Sequence, residues 1–326
     1  MNILITGATG FLGSTLASAL LERGHKITLL GRDFSSVRNL LYMGGKALRA
    51  DLRDRDKVLE ACRGMEAVVH AGARSSAWGH RRDFLDVNVL GTQNVLDGAR
   101  RHGVRRLIFV STPGVTFGGS DQREAGEDVP YPRRFFSNHA ESKKLAEQRV
   151  LGARALLEVG IVRLSVVYGP GCPVLLRVIE AARAGRLPRV GDGKNHVDLT
   201  YVDDAALALC LALERSGPMP AKPVWTVTGG EPIQLWDVLE RALEHAGVRR
   251  KPPHVPLEVA LAAAGALEAV ARLGGGEPLL TRHAVFSLAR TQTYSLERAR
   301  RDLGYAPQMT LEQGLEKTLS KLERVW

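Results

Sequence analysis

The sequence predicts an α/β protein with a doubly wound parallel sheet and a smaller C-terminal substrate lobe. Short β-branched runs alternate with helical patterns through the first half, the order that produces parallel strands with helices on both faces. A glycine-rich turn joins the first strand to the first helix, and the alternation stops after Tyr168. We therefore expect a first domain over 1–168 and a mainly substrate-binding lobe over 169–326. A segment near 197–227 is expected to return to the first sheet.

The elements follow one another in a regular order. The predicted strands are the runs NILIT, KITLL, KALRA, EAVVHA, RRLIFVST and GIVRLSVVYG. The predicted helices place apolar residues at helical spacing and end in glycine, and they are FLGSTLASALLERG, RDKVLEACRG, FLDVNVLGTQNVLDGARRHG and ESKKLAEQRVLGARALLEVG. Proline-rich connections follow Tyr168, so the second lobe is expected to be less regular. The cleft between the lobes is the expected substrate site.

Composition narrows the function classes. The chain has 326 residues, of which 44% are hydrophobic and 25% charged, and its formal net charge is +10. Its arginines lie in scattered pairs without interleaved aromatic residues, which is typical of a solvated surface and not of a nucleic-acid interface. Cys62, Cys172 and Cys210 show no CxxC spacing, so we expect packing roles and neither a disulfide framework nor a metal site.

Two features indicate a cytoplasmic protein without a transmembrane segment. Met1 is followed directly by NILITGATG, without the basic and apolar regions of a secretory signal. The longest apolar helix candidate, from Leu257 to Leu273, contains three charged residues and is short for a bilayer. A buried or lid helix is the favoured interpretation, and peripheral binding at a membrane surface is the alternative.

The stretch ITGATGFLG predicts a dinucleotide site and hence a Rossmann-type sheet. Gly7, Gly10 and Gly13 lie between the first strand and the first helix. Glycines there let the backbone approach a pyrophosphate, whose charge is held by the N–H groups at the helix N-terminus. A glycine triplet alone is weak, but the strand-turn-helix context supports it.

The end of the second strand, GRDFSSVRN, bears on cofactor choice. An acidic residue there binds a ribose 2′-OH, whereas an arginine accommodates a 2′-phosphate. Asp33 is present, but Arg32 precedes it and Ser35 and Arg38 follow. NADP is therefore the preferred cofactor, with NAD as the alternative. Asp51, after the third strand, is interpreted either as a contact to the adenine amino group or as a turn carboxylate.

The stretch FFSNHAESKKLAEQ places His139 and Lys143 four residues apart, on one face of a predicted helix. Taken alone, such spacing is typical of a solvated helix. Ser111 and Thr112, however, end the fifth strand, where ligands bind in open α/β sheets. We therefore interpret His139 and Lys143 as a pair placed at the cofactor.

Motifs along nearly the whole chain resemble the extended short-chain dehydrogenase/reductases of the NAD-dependent epimerase/dehydratase superfamily. The motifs are TGATGFLG, DL at Asp51, HAGA from His70, NVLGTQNVL from Asn88, STPGV from Ser111, SKKLAE from Ser142, VVYGPG from Val166, GDGKNHVDLTYVDD from Gly191 and LGYAPQMTLEQGL from Leu303. SSAWG, GTQNVL, STPGV and GDGKNHVD are most similar to the 3β-hydroxysteroid dehydrogenase branch, which includes bacterial reductases of long-chain 2-alkyl-3-oxo acids. The resemblance implies hydride transfer involving a large apolar ketone or alcohol.

The resemblance also implies residue roles. Lys143 would hold the nicotinamide ribose, Asn88 would support the active site, and Thr112, beside Ser111, would be the hydroxyl nearest the catalytic serine position. In an alternative register, counted back from Gly118, Pro113 would occupy the serine position and the hydroxyl would be lost. The cofactor contacts it implies are Gly7, Thr9, Gly10, Phe11, Leu12, Gly13, Arg32, Asp33, Asp51, Leu52, Ala71, Gly72, Ala73 and Lys143.

His139 is the main departure from this family pattern. The resemblance implies a tyrosine four residues before the lysine as the acid-base group, and the chain has His139 there. Histidine exchanges protons near neutral pH but has a shorter side chain. Three hypotheses follow: a working histidine variant, a site with another donor such as Tyr131 or Tyr168, or a cofactor-binding protein without chemistry.

Two further alternatives concern substrate and assembly. A nucleotide-sugar epimerase or dehydratase would share the fold and would need cationic groups for a diphosphate, for which Arg177, Arg183 and Arg186 are candidates. The family resemblance also suggests a homodimer that pairs through helices like 81–101 and 137–158.

Overall fold

Seven parallel strands form the central sheet of the structure, a computed structural model that describes residues 1–274 and 276–322. Residues 323–326, at the end of the expected second lobe, lie outside the described residues. The strands of the described chain are β1 (Asn2–Thr6), β2 (Lys26–Gly31), β3 (Lys46–Arg49), β4 (Ala67–His70), β5 (Arg106–Ser111), β6 (Gln122–Ala125), β7 (Glu158–Leu164), β8 (Val166–Tyr168), β9 (Arg189–Val190), β10 (His196–Val197), β11 (Leu199–Tyr201), β12 (Val224–Val227), β13 (Ile233–Gln234), β14 (His254–Val255) and β15 (Gln292–Tyr294).

The helices flank this sheet and build the second lobe. They are α1 (Phe11–Glu22), α2 (Arg38–Tyr42), α3 (Arg55–Ala61), α4 (Arg81–Phe84), α5 (Gly91–Arg101), α6 (Asn138–Gly152), α7 (Pro173–Arg183), α8 (Val202–Glu214), α9 (Leu235–His245), α10 (Leu257–Gly274), α11 (Arg282–Ala289), α12 (Glu297–Leu303) and α13 (Leu311–Leu319). A π-helical turn, Leu85–Leu90, joins α4 to α5, and short 3₁₀ turns cover Ser35–Val37 and Pro113–Thr116.

The strand order across the large sheet is β12-β7-β5-β4-β1-β2-β3, and every pair is parallel. This confirms the doubly wound fold class. The chain runs outward from β1 in one direction through β2 and β3, and in the other through β4 and β5. The order therefore reverses between β1 and β4, and the carboxyl ends of those strands border the crevice where such sheets bind ligands.

Two predicted elements are divided in the structure. The run GIVRLSVVYG is not one strand: β7 ends at Leu164, and after Ser165 the chain continues as β8, which pairs with β11 in a separate sheet. The predicted helix FLDVNVLGTQNVLDGARRHG contains the π-helical turn in its first half. In both, the apolar pattern continues through the break, so periodicity alone does not reveal it.

Apolar layers cover both faces of the sheet. On one face, Ile3, Ile5 and Trp225 pack with Leu16 of α1 and Leu209 of α8, all of them buried. The other face packs against α3, α5 and α6 through residues that include Val58, Val95, Ala146 and Val150. The cysteines Cys62, Cys172 and Cys210 are buried and free.

The segment 197–227 contributes to both parts of the molecule. Its last strand, β12, is the edge strand of the large sheet and pairs with β7, while α8 packs on α1. β10, at the start of the segment, joins the separate four-stranded sheet β13-β10-β15-β6, whose strand β6 comes from the first 168 residues. The division of the chain into lobes at Tyr168 stays a prediction. None of the helices in the described ranges 1–274 and 276–322 is long and apolar enough to cross a membrane.

Candidate active site

The glycine-rich turn is shaped so that side chains would obstruct it. Gly7 has a φ of +69°, and a Cβ atom there would lie 2.6 Å from the Cα atom of Gly72. A Cβ atom at Gly13 would lie 2.1 Å from the carbonyl oxygen of Gly7. Gly10 precedes α1, is exposed, and has an extended φ of −87°. The turn is therefore packed tightly on its inner side and open at Gly10, which fits the close approach of a pyrophosphate.

The end of β2 carries several charges around one carboxylate. Asp33 accepts hydrogen bonds from the backbone N–H of Ser35 at 3.0 Å and from its hydroxyl at 2.8 Å. These bonds, with Arg49 nearby, lower the pKa of Asp33. Arg32 and Arg38 are exposed on either side. The Asp33 carboxylate is therefore already hydrogen-bonded to Ser35, whereas the guanidinium groups of Arg32 and Arg38 are exposed to solvent at the end of β2.

Asp51 is held by the next arginine along the chain. Its oxygens accept from the Arg53 backbone N–H at 2.9 Å, from Nε at 2.8 Å and from Nη2 at 2.9 Å. This contact with Arg53 lowers the pKa of Asp51 to about 2. Leu52 is buried, and its carbonyl oxygen accepts a hydrogen bond from Asn94 of α5 at 2.8 Å.

His70 is the last residue of β4, next to β1 in the sheet, and its side chain is fully buried between those of Thr6 and Thr92. Its Nδ1 lies 2.6 Å from the Thr6 hydroxyl and its Nε2 lies 2.9 Å from the Thr92 hydroxyl. Because Thr92 donates its proton to the Asn88 carbonyl at 2.6 Å, Nε2 must be the donor to Thr92 and Nδ1 the acceptor from Thr6. Thr6 in turn accepts from the N–H of Gly72 at 3.0 Å. Burial, with Lys143 nearby, lowers the pKa of His70 to about 3.

This depressed pKa predicts acid sensitivity. Between pH 6.5 and pH 3 the unfolded histidine binds a proton that the folded one does not, so stability is full above pH 6.5 and falls as pH drops towards 3. We expect each such histidine to contribute a slope of about 1.4 kcal/mol per pH unit in this window. The free energy of unfolding, measured with urea at several pH values, should change less steeply with pH in His70→Gln than in the unmodified protein. The control His254→Gln, at an exposed histidine, should keep the pH dependence of the unmodified protein. An unchanged slope would contradict the assignment.

Asn88 links the π-helical turn to α6. Its side-chain oxygen accepts from the Arg74 N–H at 2.7 Å, and its amide donates to the Arg74 carbonyl at 3.1 Å. The same amide donates to the Ser142 hydroxyl at 2.8 Å, and Ser142 donates to the His139 carbonyl at 2.8 Å. Asn88 and Ser142 are both buried. The sequence-predicted supporting residue thus holds the backbone at the start of α6 in place.

Lys143 is buried behind β5, with 4% of its surface exposed. Its Nζ donates to the carbonyl oxygen of Val110 and lies 3.9 Å from the centroid of the Phe109 ring. Burial lowers the pKa of Lys143 to about 7, while Glu147 opposes the shift. A lysine whose two protonation states are both accessible near neutral pH can hold hydroxyl groups as an ammonium and can also lower the pKa of a neighbouring acid.

His139 lies one helical turn before Lys143 in α6, which begins with Ser137 as its N-cap. Its side chain is partly exposed, and Ala140 beside it is buried. Burial, with the charge of Lys143 and then that of His283, lowers the pKa of His139 to about 3. His139 is therefore a neutral imidazole at physiological pH, a weaker proton donor than an imidazolium.

The strand-end hydroxyls are placed differently from one another. Ser111 is buried, and its Oγ has no hydrogen-bond partner among the described residues. Thr112 is partly exposed and accepts from the Gly114 N–H at 3.2 Å. Pro113 is buried and begins the 3₁₀ turn. Of the two hydroxyl groups, that of Thr112 is therefore the more exposed to solvent.

The second lobe contributes a histidine and a phenylalanine that the sequence reasoning missed. His283 and Phe286 are three residues apart in α11, on one face of the helix. The Phe286 ring lies 4.6 Å from that of Phe136 and 5.7 Å from that of Phe117. His283 lies near enough to His139 to lower its pKa. No motif marked α11, and its length and apolar spacing were the only available signal.

The two tyrosines considered as replacement donors are occupied elsewhere. Tyr131 donates to Glu147 at 2.7 Å, and Glu147 also forms a buried ion pair with Arg163 at 2.8 Å. Tyr168 is buried, and its ring packs edge-on against Tyr201 at 5.5 Å. Burial raises the pKa of both phenols. The Tyr131 hydroxyl is thus engaged by Glu147, and the Tyr168 ring is packed among other residues.

Comparisons with known proteins concern the family and the fold of the chain. A model described as the NAD dependent epimerase/dehydratase family matches residues 3–227. The 2-alkyl-3-oxoalkanoate reductase of Stenotrophomonas maltophilia (strain K279a) is 40% identical, over 97% of this chain and 98% of that relative. A 4-hydroxy-2-methyl-3-oxo-4-farnesyl-3,4-dihydroquinoline-1-oxide ketoreductase of Stigmatella aurantiaca is 32% identical, over 97% of this chain and 95% of the relative. A UDP-glucose 4-epimerase structure from Thermotoga maritima matches with a TM-score of 0.78, covers 100% of this chain and 99% of its own, and is 23% identical, which concerns the fold alone.

Proposed function

The chain belongs to the NAD-dependent epimerase/dehydratase family and is an oxidoreductase, and from this premise we propose that it is an NADP-dependent reductase of a bulky apolar ketone of the steroid or long-chain 3-oxo type. One observation carries the substrate class. We take as the substrate wall a cluster of three phenylalanines, in which the Phe286 ring contacts the rings of Phe136 and Phe117. Such a wall suits an apolar molecule better than a diphosphate, although the Arg134 guanidinium lies 5.4 Å from the centroid of the Phe136 ring.

Residues of the glycine-rich turn and of α6 would bind the cofactor and supply the proton. The nicotinamide, when bound, supplies the hydride. Gly7, Gly10 and Gly13 would admit the pyrophosphate to the backbone, and the Lys143 ammonium would hold ribose hydroxyls. His139 would give a proton from its ring N–H to the oxygen that gains charge and then recover one from solvent. Asn88 and Ser142 fix the backbone carbonyl of His139 and thereby orient it.

The test is cofactor oxidation by the purified protein with chosen substrates. We expect steady consumption of NADPH with a long-chain 2-alkyl-3-oxo acid or a steroid ketone, and none with a UDP-sugar. Conversion of the UDP-sugar to a new sugar product, followed by product analysis because epimerisation consumes no net cofactor, would favour the nucleotide-sugar alternative. For that alternative, Arg177, Arg183 and Arg186 are exposed, and the Arg183 guanidinium donates to the carbonyl oxygen of Ala246 at 2.9 Å, beyond the end of α9.

The preference for NADP is supported by the charges after β2. Arg32 and Arg38 are exposed, while Asp33 is held by Ser35. We expect tighter binding of NADPH than of NADH, by calorimetry. Arg32→Ala should lower the preference about tenfold, the effect of losing one charge-assisted phosphate contact. Arg63→Ala, at an exposed arginine after α3, is the control. Tighter NADH binding by the unmodified protein would contradict the proposal.

Location and assembly belong to the same proposal. We propose a cytoplasmic enzyme that pairs with a second copy through the helices within 81–101 and 137–158. An open groove between them is lined by Leu85, Val89, Leu90 and Leu145 together with Asp86, Gln93, Gln148 and Arg149, and Leu90 is exposed although apolar. We also propose peripheral contact with a membrane, because a bulky apolar ketone partitions into lipid. Sedimentation of Leu90→Glu against the unmodified protein tests the pairing.

A further inference from the structure

Helix α10 buries one of its three charged residues and exposes several apolar ones. Glu268 is buried and accepts from the Arg282 N–H at 2.8 Å, from its Nε at 2.9 Å and from its Nη2 at 2.8 Å. Ala260 and Ala264 are buried on the same side. The outward side carries Val259, Val270 and Leu273, which are 57%, 67% and 92% exposed. The inner side is apolar apart from Glu268, as expected, but an outer side that is also apolar departs from the pattern of a surface helix in a soluble protein.

The outward side is a continuous apolar stripe. At about 3.6 residues per turn, the exposed residues that share one face are Val259, Ala262, Ala263, Ala266, Ala269, Val270 and Leu273. Glu258 and Arg272, the exposed charged residues of α10, lie to one side of that face. We call these seven residues the α10 stripe. An exposed apolar patch of this continuity marks an interaction site.

We propose that the α10 stripe docks on a lipid surface that carries anionic headgroups, and that the substrate reaches the cleft from that surface. This rests on the proposed function, which requires a bulky apolar ketone. The stripe is about 21 Å long and about 10 Å wide, roughly 200 Å². A stable dimer buries about 800 Å² on each partner, so a second copy would be poorly held by this face alone, whereas a bilayer sets no such minimum.

Charge around the stripe favours an anionic surface. Basic residues that are exposed precede α10 and end it, namely Arg249, Arg250, Lys251 and Arg272. The exposed acidic residues near its two ends are Glu258 and Glu277. Arg272 also lies 3.7 Å from Glu268, whereas Arg249, Arg250 and Lys251 precede α10 in the chain; basic residues that flank an apolar helix face are typical of helices that lie in a membrane interface.

The stripe is also connected to the active site. The Glu268–Arg282 contacts attach α10 to α11, whose Phe286 contacts Phe136 and Phe117 in the substrate wall. At the C-terminal end of α10, the Arg272 guanidinium lies 5.7 Å from the Trp78 ring. Trp78 belongs to the loop after β4 and donates to the Gly276 carbonyl at 3.1 Å. α10 thus joins the stripe, on its outer side, to the helix that supplies Phe286, on its inner side.

Flotation with vesicles tests this inference. The probes are vesicles of phosphatidylcholine alone and of phosphatidylcholine with phosphatidylglycerol. We expect the unmodified protein to float with both and more with the anionic vesicles. Val259→Glu, Val270→Glu and Leu273→Glu combined should reduce the bound fraction at least about tenfold, the loss that one buried leucine accounts for. Leu156→Glu, at a residue 67% exposed in the turn after α6, should not change it.

Activity separates this inference from the proposed function. The combined variant should retain turnover of a short, water-soluble ketone and lose turnover of a long-chain ketone held in vesicles. If no ketone is reduced but flotation depends on the stripe, the proposed function fails and the docking surface remains. Equal flotation of the variant and the unmodified protein would overturn the docking surface, as would a dimer in solution that the three substitutions dissociate.

Discussion

Replacing His139 with tyrosine is expected to raise the rate of reduction of a bulky apolar ketone by about tenfold to a hundredfold, part of the gain that a well-placed general acid provides. The imidazole is neutral at physiological pH, because burial and Lys143 lower its pKa to about 3. A phenol is longer and would lie one helical turn from the Lys143 ammonium, which lowers the pKa of a neighbouring acid. The proton donor would then reach an oxygen that the imidazole approaches poorly.

Steady-state kinetics from pH 6 to 9 give the measurement. His139→Phe removes the donor with little change of volume and should lower turnover below that of the unmodified enzyme. Lys143→Ala should weaken cofactor binding as well as turnover. Because the pKa of Lys143 is itself about 7, an inflection of the turnover rate near neutral pH can be assigned to His139 only if the Lys143→Ala variant also shows it. A lower rate for His139→Tyr, with such an inflection, would show that the histidine is a competent acid.

Replacing Gly10 with valine is expected to abolish binding of NADP(H) and NAD(H). Gly10 is the exposed N-cap of α1, and a Cβ atom there meets only the Gly7 carbonyl oxygen, at 3.3 Å. Its φ of −87° suits any residue, so the fold should survive. The branched side chain would instead occupy the side from which a pyrophosphate approaches the backbone N–H groups.

Calorimetry with both cofactors, beside thermal unfolding, tests this. Affinity should fall at least about a hundredfold, the loss of several charge-assisted hydrogen bonds, while the unfolding temperature changes little. Gly13→Val is the informative contrast, because its Cβ atom would lie 2.1 Å from the Gly7 carbonyl oxygen and should disturb folding itself. Micromolar affinity in a folded Gly10→Val protein would remove the phosphate-loop assignment.

Much of the nucleotide-binding half could be predicted because its signals are local. Glycines at 7, 10 and 13 act within one turn, and the spacing of His139 and Lys143 defines one helix face whatever surrounds it. The parallel sheet follows from the order of strands and helices. These features depend on residues close together in the chain, where geometry is nearly fixed by backbone periodicity.

The breaks within elements were less visible. Ser165 separates β7 from β8, and the π-helical turn Leu85–Leu90 lies inside a continuous apolar pattern. In each place the residues are compatible with an unbroken element, and the break depends on partners elsewhere: β11 for the strand, and α6 through Asn88 and Ser142 for the helix. Such partners contribute no local signal.

The sequence by itself determined the fold class, the glycine-rich turn between β1 and α1, and the position of the unusual histidine. Only the tertiary structure decided what surrounds that histidine, since His283 and Phe286 reach the site from a helix more than a hundred residues away. It also decided that Tyr131 is bound to Glu147 and that α10 buries Glu268 while exposing Val270. The reason is physical: periodicity tells which side chains share a face, but burial and charge pairing depend on which distant segment packs against that face.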